Sequence, residues 1–431
     1  MKTSGNLALA VVLIAGASLP SRAAEPKDAK GYVSRGFEKH IKGDQDGALA
    51  DLDKAISLDP KNVEAYYDRA NSKVSKDDYA GAIADYTKAA ELYPAEGGPQ
   101  HPKRASVYLS RAQAKNLSRD YAGAIADYEK VLELDPKNVR ACFSLADLHA
   151  LKRDYTAAVA AYGKAIELDP KNAFAYSGRG IVEAARGDQD AAIADFDRSL
   201  SLDAKSANVY MSRADAKASK GDRDGALADY DQAIKLEPSS AGNYVFRGRA
   251  KGSFGDYDGA VADYSKALEL EPKNALAHVY RATERYDHQA WKEALEDYRA
   301  VCSLTPDHQS YARLRIWLIR ARTGERKQAD AELEGFLAEK PAQAQEWLSE
   351  VGRFLLGKTS EDAMIKAAAS TDPETAQAHQ VVAYFFAGSK RLIDGDKAGA
   401  VDLFKKGVAG DRKGKQSYRS AEAELKRLQG V

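Results

Sequence analysis

The sequence predicts an all-α chain, a solenoid of paired helices, on three observations. The tetrapeptide Asp-Pro-Lys-Asn recurs at Asp59–Asn62, Asp135–Asn138 and Asp169–Asn172, with Glu271–Asn274 a near copy. The spacing follows a 34-residue period, the size expected of stacked two-helix units. Within that period one position is always glycine or alanine and a second is always alanine, which lets two helices cross closely. A proline then closes nearly every unit, stopping the second helix and turning the chain.

Counted from Ala29, the units run 29–62 and 63–96, an eight-residue insert follows at Gly97–Arg104, and six further units run from 105 to 308. Position 8 is the small residue (Gly36, Ala70, Ala112, Ala146, Gly180, Ala214, Gly248, Ala282), and position 20 the alanine (Ala48 through Ala294). Position 24 supplies the bulk that fills the space left between them: Leu52, Tyr86, Tyr128, Tyr162, Phe196, Tyr230, Tyr264 and Tyr298. Gly-Asp or Asp-Asp pairs such as Gly43-Asp44, Asp77-Asp78 and Gly187-Asp188 predict the tight turn inside each hairpin.

These residues resemble the tetratricopeptide-repeat family over about two thirds of the chain. The resemblance implies a right-handed superhelix whose first helices line a concave groove at positions 2, 5, 9, 12 and 13 of each unit. It also implies protein or peptide binding rather than catalysis. Beyond the eight units at 24–308, residues 309–343 read as a degenerate ninth unit with Trp317 at the small position. Residues 344–380 read as an irregular helical connector, 381–414 as a tenth unit, and 415–431 as a C-terminal capping helix. A terminal cap is what a solenoid needs over its last apolar face. The order Trp347, Phe354–Ala369, Tyr384–Val408 looks like the C-terminal part of the NlpI-type repeat lipoproteins of the bacterial envelope. That likeness implies an adaptor that presents substrates to an envelope protease and to cell-wall hydrolases. This chain differs in having no lipidated cysteine and more repeats.

A charge ladder runs through the repeats. Position 7 is arginine in seven of eight units (Arg35, Arg69, Arg111, Arg179, Arg213, Arg247, Arg281), and position 23 is aspartate in the same seven. The fourth unit loses both together, with Leu145 and Ala161, and so does the tenth, with Ala387 and Leu403. Joint loss predicts pairing inside one hairpin, as between Arg69 and Asp85 or Arg213 and Asp229. The other reading is an anion-binding row of arginines.

Position 5 offers a candidate peptide-binding line: Val33, Tyr67, Leu109, Phe143, Met211, Val245 and Val279, with Ser177 as a gap. An apolar line with polar neighbours suits an extended or helical segment. Packing between adjacent first helices is the competing account of the same side chains. No unit pairs lysine at position 5 with asparagine at position 9, the arrangement with which some relatives hold a peptide carboxylate.

The seven histidines show no His-Glu-x-x-His spacing, and Cys142 and Cys302 are too far apart in the repeat for a bridge or a metal pair. No Gly-x-Ser-x-Gly elbow is present, so neither catalysis nor a cofactor is expected. Lys plus Arg and Asp plus Glu are both 64, with no basic excess for nucleic acid. Lys2, the apolar run Leu7–Ala17 and the small residues Ser21 and Ala23 predict a signal peptide over residues 1–23. With no cysteine near the cut, no membrane anchor is expected in the mature form, and the expected destination is a bacterial periplasm. The function read from these features is a non-catalytic exported scaffold or adaptor that binds a protein or peptide partner, in envelope or cell-wall maintenance. A module for a polysaccharide or peptidoglycan fragment is the alternative.

Overall fold

The computed structural model describes residues 25–93, 102–304, 306–339, 346–409 and 416–430. The expected leader at 1–23, the first residues of the insert and Pro341 lie outside the described residues. Among the described residues are twenty-three helices and no strand, divided into two compact blocks at 170/171. The N-terminal block holds α1 (Ala29–Ile41), α2 (Gln45–Leu58), α3 (Val63–Val74), α4 (Tyr79–Leu92), α5 (Pro102–Leu117), α6 (Tyr121–Leu134), α7 (Val139–Leu151) and α8 (Tyr155–Leu168). The C-terminal block begins with α9 (Ala173–Arg186), α10 (Gln189–Leu202), α11 (Ala207–Ser219), α12 (Arg223–Leu236), α13 (Ala241–Ser253), α14 (Tyr257–Leu270), α15 (Ala275–Asp287) and α16 (Trp291–Leu304). It continues with α17 (Pro306–Arg322), α18 (Arg326–Glu339), α19 (Glu346–Leu355), α20 (Glu361–Ala367), α21 (Pro373–Ile393), α22 (Lys397–Val408) and α23 (Gln416–Gln429).

Local chemistry explains the boundaries. The asparagine of the recurring tetrapeptide caps the next first helix: Asn62 Oδ1 accepts from Ala65 N at 2.9 Å, and Asn138 Oδ1 from Ala141 N at 3.0 Å. In seven of the eight units the aspartate of the turn, replaced by Ala290 in the eighth, caps the second helix, as Asp44 does for Gly47 N at 2.9 Å. The residue before it is left-handed in every one of the eight units. Glycine stands there in Gly43, Gly187, Gly221 and Gly255, while Asp77, Arg119, Arg153 and Gln289 adopt φ of 60 to 66° despite a Cβ.

Packing follows the register. All eight position-20 alanines are fully buried, and Tyr86, Tyr128, Phe196, Tyr230, Tyr264 and Tyr298 are at most 2% exposed. A Cβ on Gly180 would stand 2.8 Å from Phe196 Cε1, so the ring occupies the space a side chain at position 8 would need. Each such ring contributes about 2 kcal/mol by leaving water.

Three boundaries differ from the sequence reading. α5 starts at Pro102, inside the segment assigned to the insert, and α17 starts at Pro306, inside the eighth unit. α21 starts at Pro373, eight residues before the tenth unit was placed. Proline at a helix start costs no hydrogen bond, so each helix extends back to it, and Asp372 caps α21 by accepting from Thr375 N at 2.8 Å. Repeat register alone does not report such extensions. No helix among the described residues is long and apolar enough to cross a membrane.

Candidate functional site

Two constructions repeat along the first helices. The first is the charge ladder. In all seven units Nε and Nη2 of the arginine donate to the two oxygens of the aspartate at 2.6–3.0 Å. Arg69 therefore holds Asp85 and Arg213 holds Asp229, each within its own hairpin. The aspartates are at most 7% exposed. Six of them also take a second cation from position 11, among them Lys39, Lys73, Lys217 and Arg285, at 2.6–2.9 Å. A tyrosine at position 4 lies under six of the guanidinium groups, 5.0–5.9 Å from ring centre to Cζ.

Five arginines spend a further N–H on position 25 of the preceding unit: Asp53, Asp197 and Asp231 at 2.5–2.7 Å, and the hydroxyls of Thr87 and Ser265 at 3.1 and 2.9 Å. In these five the outward Nη1 is also met from within the protein, which counts against the anion-binding reading of the row. Burial works to raise the Asp51 pKa, but hydrogen bonds from Arg35 and Lys39 outweigh it and hold the carboxyl below its ordinary range. In the fourth unit Leu145 and Ala161 close the same gap by apolar contact, and in the tenth Ala387 and Leu403 do so while buried. The tyrosine, the position-11 cation and the position-25 acceptor were not singled out from sequence. The tyrosine and the cation each recur at a fixed offset from the arginine, a signal that was available, whereas the acceptor varies among aspartate, threonine and serine.

The second construction is the groove face. Of the residues at position 5, Val33, Met211, Val245 and Val279 are buried at 6–8% exposure, and Tyr67, Leu109 and Phe143 are half-buried. Tyr67 lies 5.6 Å from the Tyr86 ring, and its hydroxyl shares a hydrogen bond with Ser110 Oγ at 3.0 Å. Phe143 meets Tyr162 edge-on at 6.0 Å, and Leu109 packs on the core around Tyr128. Position 5 therefore forms a floor. On the first helices of the N-terminal block, exposed apolar side chains stand at positions 9 and 13: Phe37, Ile41, Leu117 and Leu151, 48–69% exposed. Sequence reasoning passed over this row although three of its four members share position 13.

Polar groups at position 9 are oriented from below. Asn71, Asp147 and Asp215 each accept from the position-24 tyrosine of their own unit, Tyr86, Tyr162 and Tyr230, at 2.6 Å. Between α1, α3 and α5 lies a cavity of about 470 Å³, lined by Val33, Phe37, Tyr67, Asp68, Tyr93 and Lys103 among others. Burial, and then the neighbouring Glu64, push Asp68 up to about 6. The cavity thus carries an acid that ionises fully only above that pH, beside three aromatic rings.

Comparison with known proteins agrees with this geometry. Tetratricopeptide-repeat models match residues 63–137, 109–173, 152–208 and 207–240, and a TPR-repeat model matches 36–77 and 248–283. The chain belongs to the tetratricopeptide-repeat family, whose hairpins serve as a protein-interaction scaffold and are generally non-catalytic. Among solved structures it is similar to the MamA protein, at 30% identity over 40% of this chain and 93% of that one, with a TM-score of 0.37. The C-terminal part of a TPR repeat-containing protein from Cytophaga hutchinsonii is 16% identical over 57% of this chain and 97% of that one, with a TM-score of 0.50. YrrB, described as a TPR protein with an unusual peptide-binding site, is 22% identical over 44% of this chain and 95% of that one, with a TM-score of 0.37. None of the curated proteins compared with the chain matches it.

Proposed function

We propose that this chain is a non-catalytic exported adaptor of a bacterial envelope that binds an extended or helical protein segment along its N-terminal first helices. The observation that carries the reading is the apolar face of α1, α3, α5 and α7. Its floor is Val33, Tyr67, Leu109 and Phe143, and Phe37, Ile41, Leu117 and Leu151 stand exposed beside it. Exposed apolar side chains recur at the same face of α1, α5 and α7, and their polar neighbours are held in place by hydrogen bonds. The export and envelope parts of the reading rest on the leader-like N-terminus and on the likeness of the C-terminal region to envelope adaptors. The mature chain then acts in the periplasm and takes a protein partner.

The experiment is photo-crosslinking from Phe37 and Leu117 in cells, identification of what is captured, and titration of that partner against purified protein. Replacing Leu109 and Phe143 with serine should weaken the partner by about 2 kcal/mol, as expected for desolvated anchors, with circular dichroism nearly unchanged. Unchanged affinity would overturn the groove assignment. Retention of purified peptidoglycan in place of any protein would favour the polysaccharide alternative.

A further inference from the structure

The C-terminal helix α23 does more than cover a last apolar face. It packs on α22 and α21, and it also lies across the first helices of the seventh, eighth and ninth units. Arg419 Nη2 donates to Glu284 Oε1 of α15 at 2.6 Å, and its guanidinium stands 3.0 Å from where a Cβ on Gly252 of α13 would be. Arg315 Nη2 of α17 donates to Ser420 Oγ at 3.0 Å, and the hydroxyls of Tyr311 and Ser417 share a hydrogen bond at 3.0 Å. Glu424 pairs with Arg322 of α17 at 2.5 Å, and Arg427 Nη2 donates to the Asp287 carbonyl of α15 at 2.7 Å.

The chemistry of this contact is unlike that of the neighbouring α21–α22 hairpin. α21 and α22 meet through Phe385, Phe386 and Phe404, all fully buried. α23 instead brings Ser417, Ser420 and Glu424 to its buried face, with Ala421 and Leu425 beside them. Beneath it, Tyr286 Oη, Asp287 Oδ1, Arg315 Nη1 and Arg322 Nε are buried with no hydrogen-bond partner among the described residues. Buried ion pairs roughly break even against the loss of water, and unmet polar atoms cost more. This contact is therefore specific in its geometry and weak in its net hold, the balance expected of an exchangeable interface rather than of a core.

We propose that the faces of α13, α15 and α17 form a second, charge-selective helix site, filled in this structure by α23. A partner helix bearing the same arginine–x4–glutamate–x2–arginine face competes for it. The site rests on the reading that first-helix faces bind partner segments, but it uses other helices than the N-terminal strip. Tethering gives α23 an effective concentration of the order of millimolar, so the cis helix sets the affinity a partner must exceed. Specificity comes from Glu284 meeting a cation, and Arg322 meeting an acid, one helical face apart.

The test uses the full chain, with a dye-labelled peptide of residues 416–430 as the probe. In the wild-type chain, hydrogen exchange of α23 amides should be about ten-fold or more faster than that of α15 and α22, reporting local opening. Exchange of all three together would overturn the proposal without need of any variant. In an Arg419→Ala/Arg427→Ala chain the peptide should bind about ten-fold or more tighter than to wild type, and a peptide carrying Glu424→Gln should lose about that factor. No gain of binding in a chain whose α23 amides exchange faster would also overturn it. A concentration-dependent dimer of the variant would replace the partner helix with a second copy. The Leu109→Ser/Phe143→Ser chain separates this site from the N-terminal strip. Peptide binding kept there while the natural partner is lost supports two sites, whereas loss of the peptide as well assigns it to the strip.

Discussion

The ladder rung of Arg213 and Asp229 allows a direct test of why the pair exists. Asp229 is 4% exposed and accepts two hydrogen bonds from Arg213, while Lys217 stands 2.8 Å from its second oxygen. Removing one member of a buried pair typically costs about 3–5 kcal/mol. Asp229→Ala leaves Arg213 with Asp197 at 2.5 Å, and both cations keep some water, so about 2–3 kcal/mol is expected. Arg213→Leu leaves the buried carboxylate with Lys217 alone, for about 3 kcal/mol. The double variant recreates the leucine and alanine of the fourth unit, Leu145 and Ala161, which close this gap by apolar contact. It should cost about 1 kcal/mol, well below the sum of the singles, giving a coupling of about 4–5 kcal/mol. Because repeat arrays do not unfold as one unit, the measurement is hydrogen exchange of α11 and α12 amides, with urea unfolding beside it. A double variant costing the sum of the two singles would refute the reasoning.

Arg153→Gly and Asp77→Gly should each stabilise by about 0.5–1 kcal/mol, because glycine relieves a φ near 60° at the hairpin turn. A lowered melting midpoint would count against this. Asn138→Ala should cost about 1 kcal/mol through the lost cap, whereas Ser206→Ala, at an equivalent cap that makes no side-chain hydrogen bond, should cost much less. Equal losses in urea unfolding would contradict the capping account. Burial pushes Asp287 from 3.8 up to about 7. Below pH about 4 both folded and unfolded states are protonated there; between pH about 4 and 7 only the unfolded state releases its proton, so stability falls as pH rises, by about 4 kcal/mol in all. Asp287→Asn should remove that slope, and parallel melting profiles for the two proteins across this range would refute it.

How much of this was readable in one dimension depends on the range of each interaction. Helix pairing was legible because Gly180 and Phe196, or Ala214 and Tyr230, must be small and large at a fixed offset for two backbones to approach. The pairing of Arg69 with Asp85 was legible because the fourth and tenth units lose both partners together. Repetition turns a contact into a pattern. The position-25 acceptors repeat less uniformly, as aspartate, threonine or serine, and their role shows only where Asp53 or Thr87 meets the next arginine.

The local and periodic features of this protein are set by sequence alone: the hairpin register, the caps at Asn62 and Asn138, the left-handed turn and the members of each rung. Only the tertiary structure decides which groove residues stay accessible. Val33 and Val279 share a position with Leu109 and Phe143, yet closer packing of neighbouring helices buries the valines and leaves the larger side chains half in water. It also decides where α23 goes. Its partners Glu284, Asp287, Arg315 and Arg322 lie about a hundred residues or more away in sequence, do not recur as a set in other units, and come together only when the chain folds back. A contact made once, between residues so far apart, leaves no period in the sequence by which to find it.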